Sequence, residues 1–304
     1  MTMQGELTLT GRARDVHTAL DGAVAVLDTA SFDARVDYAG GQIIGAINAT
    51  PAIDGLDTFV GRTASRGYRR ELSRLVTEQD LIGRVVYQLL DDLPGATLVS
   101  GYSPQLNLHD QGWGPTARAV ADERIQLMAG VCAGWQQGGV VMTSIVDGMP
   151  PPIRVGPKAP SLTAPGDPWA WHEFPGPMSL HGMRRLRRID VIAGTDTDDP
   201  LTVDAFFRDS YMTDAGLETI VHEYTLLVTV DRQGSVVLES EATPRVLPFG
   251  QCPEAAASAG RLPGTALDDL RTRIRADFVG ASTCTHLNDM LRALEDVAAL
   301  ARPL

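Results

Sequence analysis

The chain has 304 residues and pairs 26 Lys and Arg with 38 Asp and Glu, a net charge of −12. That sign argues against nucleic acid as a partner, because phosphate binding needs clustered cations. A single lysine, Lys158, sits in a proline-rich stretch, where a desolvated amine is not expected, so Schiff-base chemistry drops out.

At the N-terminus, residues 1–10 contain no apolar core of signal-peptide length. No window of the chain approaches 18 continuous apolar residues, so no membrane-spanning helix is expected. Three scattered cysteines, Cys132, Cys252 and Cys284, fit a reducing compartment. The expected location is the cytoplasm.

In chain order, Val36-Asp37-Tyr38-Ala39-Gly40-Gly41 followed by an apolar run to Ala49-Thr50-Pro51 reads as two strands and a Gly-containing turn. Helical patterns follow over 59–75 and 81–93, then a turn at 91–96 and a loop with Tyr102 and His109. Another helical pattern covers 117–135 and ends near Gly138-Gly139.

Nine of the 19 prolines fall between Pro150 and Pro177, which marks a linker or extended arm. Its aromatic centre, Trp169, Trp171 and Phe174, either packs across another part of the chain or forms a lid over a pocket. Beyond it, 187–191, 201–211 and 219–230 are β-rich or alternate. A second hairpin, Val230-Asp231-Arg232-Gln233-Gly234 to Ala242-Thr243-Pro244, repeats the first, and helical patterns at 266–278 and 284–300 close the chain.

These elements predict an α+β fold of antiparallel strand meanders packed by helices, with an internal duplication of a β-hairpin plus helices unit. The expected organisation is an N-terminal α+β repeat over 1–149, a Pro/Trp-rich linker or arm over 150–182, and a C-terminal repeat over 183–304 holding the site. No Gly-rich phosphate loop, Gly-x-Ser-x-Gly elbow or His-Glu-x-x-His is present.

The conspicuous chemistry lies in Ser282-Thr283-Cys284-Thr285-His286-Leu287-Asn288-Asp289, where polar and reactive residues crowd the start of the last helix. Leu287, Met290, Leu291, Leu294, Val297 and Leu300 form its apolar stripe. Cys284 shares that side, His286 flanks it, and Ser282, Thr283 or Thr285 is a candidate cap. A buried cysteine with a tethered His explains the run as well as a ligand site does. Aligned on the first copy, Cys284, His286 and Asn288 fall opposite Leu81, Gly83 and Val85, so the helix itself does not require them.

Period two on 203–211 places Asp209 on one face with Phe207 and Tyr211. The same period on 219–230 groups Ile220, His222 and Tyr224. If 212–218 is the turn of a hairpin, Asp209 lies across from His222 as a buried pair or an acid–base pair, with the carboxylate fixing the imidazole tautomer. Arg208 and Glu223 then face the other way as an ion pair. The run Arg184-Arg185-Leu186-Arg187-Arg188 serves either to neutralise acids or to hold an anion.

A family resemblance rests on Arg184-Arg185-Leu186-Arg187-Arg188-Ile189-Asp190, Cys252-Pro253 and Cys284-Thr285-His286-Leu287, with Val131-Cys132-Ala133-Gly134-Trp135 also similar. By these residues the C-terminal half resembles the bacterial domain of unknown function 2889 family, best over about 184–294. The resemblance implies no catalytic residues, and leans towards small-molecule catabolism.

The expected activity is a cofactor-independent lyase or isomerase moving protons on a hydrophobic small molecule of carbonyl, alcohol or enol type. His222 is the expected base, oriented by Asp209, with His286 as second acid or oxyanion donor. Tyr211, Tyr224, Cys284 and Asn288 are expected to bind substrate. No metal or other cofactor is expected, although His222, Glu223 and His286 would be the ligands of a metalloenzyme. Partners are confined to the substrate and, as an assembly, a homodimer. The rival from another class is a non-catalytic small-ligand-binding or assembly protein.

Overall fold

A computed structural model describes residues 5–103, 128–164, 166–173, 176–233 and 235–304. Its α+β character follows from two antiparallel sheets of long strands, each covered by short helices. Two compact units divide the chain. One holds Met1–Gly101, Ser161–Pro177 and Ala298–Leu304, the other Tyr102–Pro160 and Met178–Val297. They therefore interleave along the sequence instead of following 1–149 and 183–304.

In the first unit, β1 (Glu6–Thr18), β2 (Val24–Asp37) and β3 (Ile43–Thr50) pair antiparallel in that order. Period two on β2 buries Ala30, Phe32, Ala34 and Val36 and leaves Asp33, Arg35 and Asp37 in water. The Phe32 ring occupies the space beside Gly11 of β1, where a Cβ would come within 2.3 Å of it. Helix α1 (Tyr68–Glu78) lays Tyr68, Leu72 and Val76 on this core at intervals of four. Helices α2 (Val85–Asp91) and α3 (Leu93–Val99) follow. The aromatic arm packs on β1: an Arg14 guanidinium nitrogen donates to the Trp169 carbonyl at 2.9 Å and the Trp171 carbonyl at 3.0 Å.

In the second unit, β4 (Met183–Ile192), β5 (Leu201–Met212), β6 (Glu218–Asp231) and β7 (Val236–Val246) form an antiparallel meander in chain order. These contain the strands expected at 187–191, 201–211 and 219–230. Phe207, Tyr224 and Leu226 are almost fully buried, each stabilising the fold by about 2–3 kcal/mol. Helix α4 (Val140–Val146) precedes the sheet, and α5 (Leu270–Asp277) and α6 (Thr285–Ala293) follow it. Leu287, Met290 and Leu291 of α6 are buried, as the predicted stripe requires.

Hairpins of the expected kind exist at β2–β3 and β6–β7. The likeness of the halves goes no further than these elements and their helices, since one sheet has three strands and the other four. The duplication is not confirmed. The helix expected over 117–135 and His109 lie mostly or wholly outside the described residues. The described end of that helix is a single turn of 3-10 helix, Ala133–Trp135. Among the described residues no helix is long and apolar enough to cross a membrane.

Candidate active site

The β5–β6 hairpin brings Asp209 opposite His222 in the strand register, as the alternation predicts. The register shifts immediately after this pair, so that Ser210 meets Ile220 and Val221 becomes the extra residue of a bulge. On the other side of β5, Arg185 of β4 is the partner of Asp209. Its Nε and Nη2 donate to the two Asp209 oxygens at 2.9 and 3.1 Å, a bidentate grip on a fully buried carboxylate. Burial raises the pKa of Asp209, but the Arg185 charge, assisted by the two histidines, holds it well below the usual carboxylate range. Asp209 is therefore an anion at any physiological pH.

Helix α6 supplies the third member. His286 stands in its first turn, and its Nδ1 lies 3.2 Å from Asp209 Oδ2. His222 Nδ1 lies 3.6 Å from the same oxygen, beyond hydrogen-bonding distance. The two imidazoles stack, with centroids 3.7 Å apart and planes 25° from parallel. Burial, and then the neighbouring His286 and Arg185 against the pull of Asp209, push His222 down to about 4. His222 is neutral at pH 7. The helix is anchored here by Asp289, which accepts from Arg185 Nη1 at 2.7 Å and from Arg292 at 2.5 Å. The Arg185 guanidinium also lies over the Phe207 ring, 4.9 Å from its centroid.

Asp209, His222 and His286 are the group among the described residues whose donor atoms, all within 4.8 Å of one another, come closest to a metal set. Their arrangement opposes one. An ion must lie in the plane of each imidazole at about 2 Å, and stacked near-parallel rings do not converge on such a point. Both oxygens of Asp209 are already engaged by Arg185. Glu223, the third ligand a metalloenzyme would need by sequence, instead pairs with Arg208.

The remaining predicted residues separate. Tyr224 turns its hydroxyl towards Cys284, with Cys252 and Cys132 nearby. Burial raises all three thiols, Cys284 to about 11 and Cys252 to about 12. The amides of Leu287 and His286 face the Cys284 sulfur, which does not bring the thiol down to a reactive range. Cys284 holds the N-cap position itself. Thr283, a candidate cap by sequence, instead donates to the Gly280 carbonyl at 3.0 Å. Asn288 donates to the Phe278 carbonyl at 2.8 Å and so ties α6 to the end of α5. Tyr211 bonds His181 Nδ1 at 2.7 Å, and His181 Nε2 bonds Asp214 at 2.9 Å. Tyr211 and Asn288, both expected to bind substrate, thus each make a local pairing.

Arg185 and Asp289 are the site residues that the sequence did not single out. The signal was present in the arginine run, two other members of which also meet carboxylates: Arg184 with Glu218 and Arg188 with Asp190. Only the strand register shows that Arg185 is the one facing Asp209.

Residues 183–300 match the family model described as "Protein of unknown function (DUF2889)", and this part of the chain is similar to that family. The match covers every residue of the Asp209 cluster. No curated protein and no solved structure matches the chain.

Proposed function

We propose that the region 183–300 is a cofactor-independent lyase or isomerase acting by proton transfer on a hydrophobic carbonyl, alcohol or enol compound. The observation that carries this reading is one ionised carboxylate, Asp209, faced by two imidazoles and secured by Arg185. His286 Nδ1 lies 3.2 Å from both Asp209 Oδ2 and the Arg185 Nη2 donor, and in the tautomer that places Nδ1–H on Asp209 its Nε2 keeps a lone pair, the form a general base requires. His286 has the side chain nearer the surface, 12% exposed against 10% for His222 and none for Asp209. In this reading His286, whose Nδ1 is 3.2 Å from Asp209 against 3.6 Å for His222, is the proton carrier in place of His222, the base expected from sequence. The sparse, free cysteines support a reducing, cytoplasmic setting. A catabolic role and a homodimer belong to the same reading.

Incubation in heavy water with a panel of hydrophobic ketones and hydroxyketones tests it, with deuterium uptake read by mass spectrometry. The wild-type chain is expected to promote exchange, and His286→Gln to lose it by about 100-fold or more, the usual contribution of a general base. Unchanged exchange in His286→Gln overturns the reading. Saturable binding of a panel member without exchange would assign the region to ligand binding instead.

A further inference from the structure

A cavity of about 360 Å³ opens at the start of α1, far in sequence from the Asp209 cluster and in the other compact unit. Phe59 and Tyr68, both buried with ring centroids 5.0 Å apart, form its apolar base. Arg62, Arg66, Arg70 and Arg74 line it, and Glu71 is the one carboxylate among its walls. Glu71 lies 2.7 Å from Arg74, 3.6 Å from Arg70 and 3.9 Å from Arg62. Among the described residues, Arg66 has no carboxylate partner.

Helix stability does not explain this arrangement. Like charges four apart, as in Arg70 and Arg74, repel on a helix surface. The macrodipole favours acids in the first turn and bases in the last; α1 carries Glu71 in its first turn, but beside Arg69 and Arg70, and has no base in its last. Arg69 turns away to Asp91. No side chain caps the helix, and its first amide, that of Tyr68, turns back to the Ser65 carbonyl at 3.3 Å. In a chain of net charge −12, four guanidinium groups around one carboxylate are a local excess of positive charge.

We infer that this cavity is a binding site for a small organic anion carrying two or more negative charges, as phosphate or carboxylate groups. Guanidinium groups grip such groups by paired hydrogen bonds. The volume lies within the range of small-ligand sites. An anionic lipid surface presents the same chemistry, but the concave shape favours a free ligand.

The test is calorimetric titration of the full chain with pyrophosphate and with citrate at low ionic strength, beside co-sedimentation with phosphatidylcholine vesicles containing phosphatidylserine. Saturable binding of pyrophosphate or citrate is expected, weakening as salt rises. Arg66→Glu/Arg70→Glu should lower the affinity by at least about tenfold, with Arg66→Gln/Arg70→Gln in between. Arg35→Glu on the exposed face of β2 should leave it unchanged. Failure of both anions to bind, or equal affinity in either double variant that retains the wild-type circular dichroism, overturns the site. Vesicle binding without pyrophosphate or citrate binding would overturn the free-ligand assignment.

Discussion

The imidazoles of His222 and His286 stack 3.7 Å apart and present Nδ1 to the same oxygen of Asp209. One carboxylate can stabilise one imidazolium, but two protonated rings at that separation would repel in a buried site. His222, whose ring is deeply buried, is kept neutral.

Stability should fall in acid for this reason. The folded-state pKa of His222 is depressed to about 4, against about 6.5 when unfolded, so between these values the unfolded chain binds the extra proton. The stabilisation is complete above about pH 6.5 and is lost as pH falls towards 4, by on the order of 3 kcal/mol. Urea unfolding at a series of pH values measures it. His222→Asn should flatten the curve in that window, and an unaltered slope would contradict the assignment.

Removing the charge of Asp209 should be costly. Asp209→Asn leaves the Arg185 guanidinium, itself 8% exposed, without its bidentate acceptor, at about 3–5 kcal/mol. Asp209→Asn/Arg185→Met should cost less than the two single changes added together, because neither partner then stays buried and uncompensated. Additive losses in a double-mutant cycle would show that the two do not act as a unit.

His286→Gln should separate activity from folding. The side chain is at the edge of the cluster, and Gln can still donate to Asp209, so the change is expected to cost no more than about 1 kcal/mol. A loss of several kcal/mol by thermal unfolding would assign His286 to the core.

Asn288→Ala should behave in the opposite way. It removes the donor to the buried Phe278 carbonyl, at a cost of about 1–3 kcal/mol, with no loss of deuterium exchange beyond that explained by unfolding. A stable variant with abolished exchange would return Asn288 to the site.

Cys284 should be inert in the native protein. With its thiol raised to about 11 and 5% exposed, alkylation by iodoacetamide at pH 8 should be slow until denaturant is added. Rapid native-state labelling, located by peptide mass mapping, would disprove this.

The period-two patterns of 203–211 and 219–230, and the apolar stripe of the last helix, are local properties of the chain. They specified β5, β6 and α6 and paired Asp209 with His222, because alternation and hairpin connection leave little freedom of register. That Arg208 and Glu223 pair on the opposite face follows from the same rule. The positions of His286, Arg185 and Asp289 could not be read this way. His286 and Arg185 are 101 residues apart, and their meeting depends on how α6 packs against the sheet. Tyr211 and Asn288 suited a site by their local patterns, and in the fold Tyr211 meets His181 while the Asn288 amide nitrogen donates to the Phe278 carbonyl. The sequence by itself determined the strands, the last helix and the Asp209–His222 register, since these depend on neighbours along the chain or across one turn. Only the tertiary structure decided that a second histidine stacks on the first and an arginine grips their carboxylate, because burying that charge requires partners from three separate elements at once.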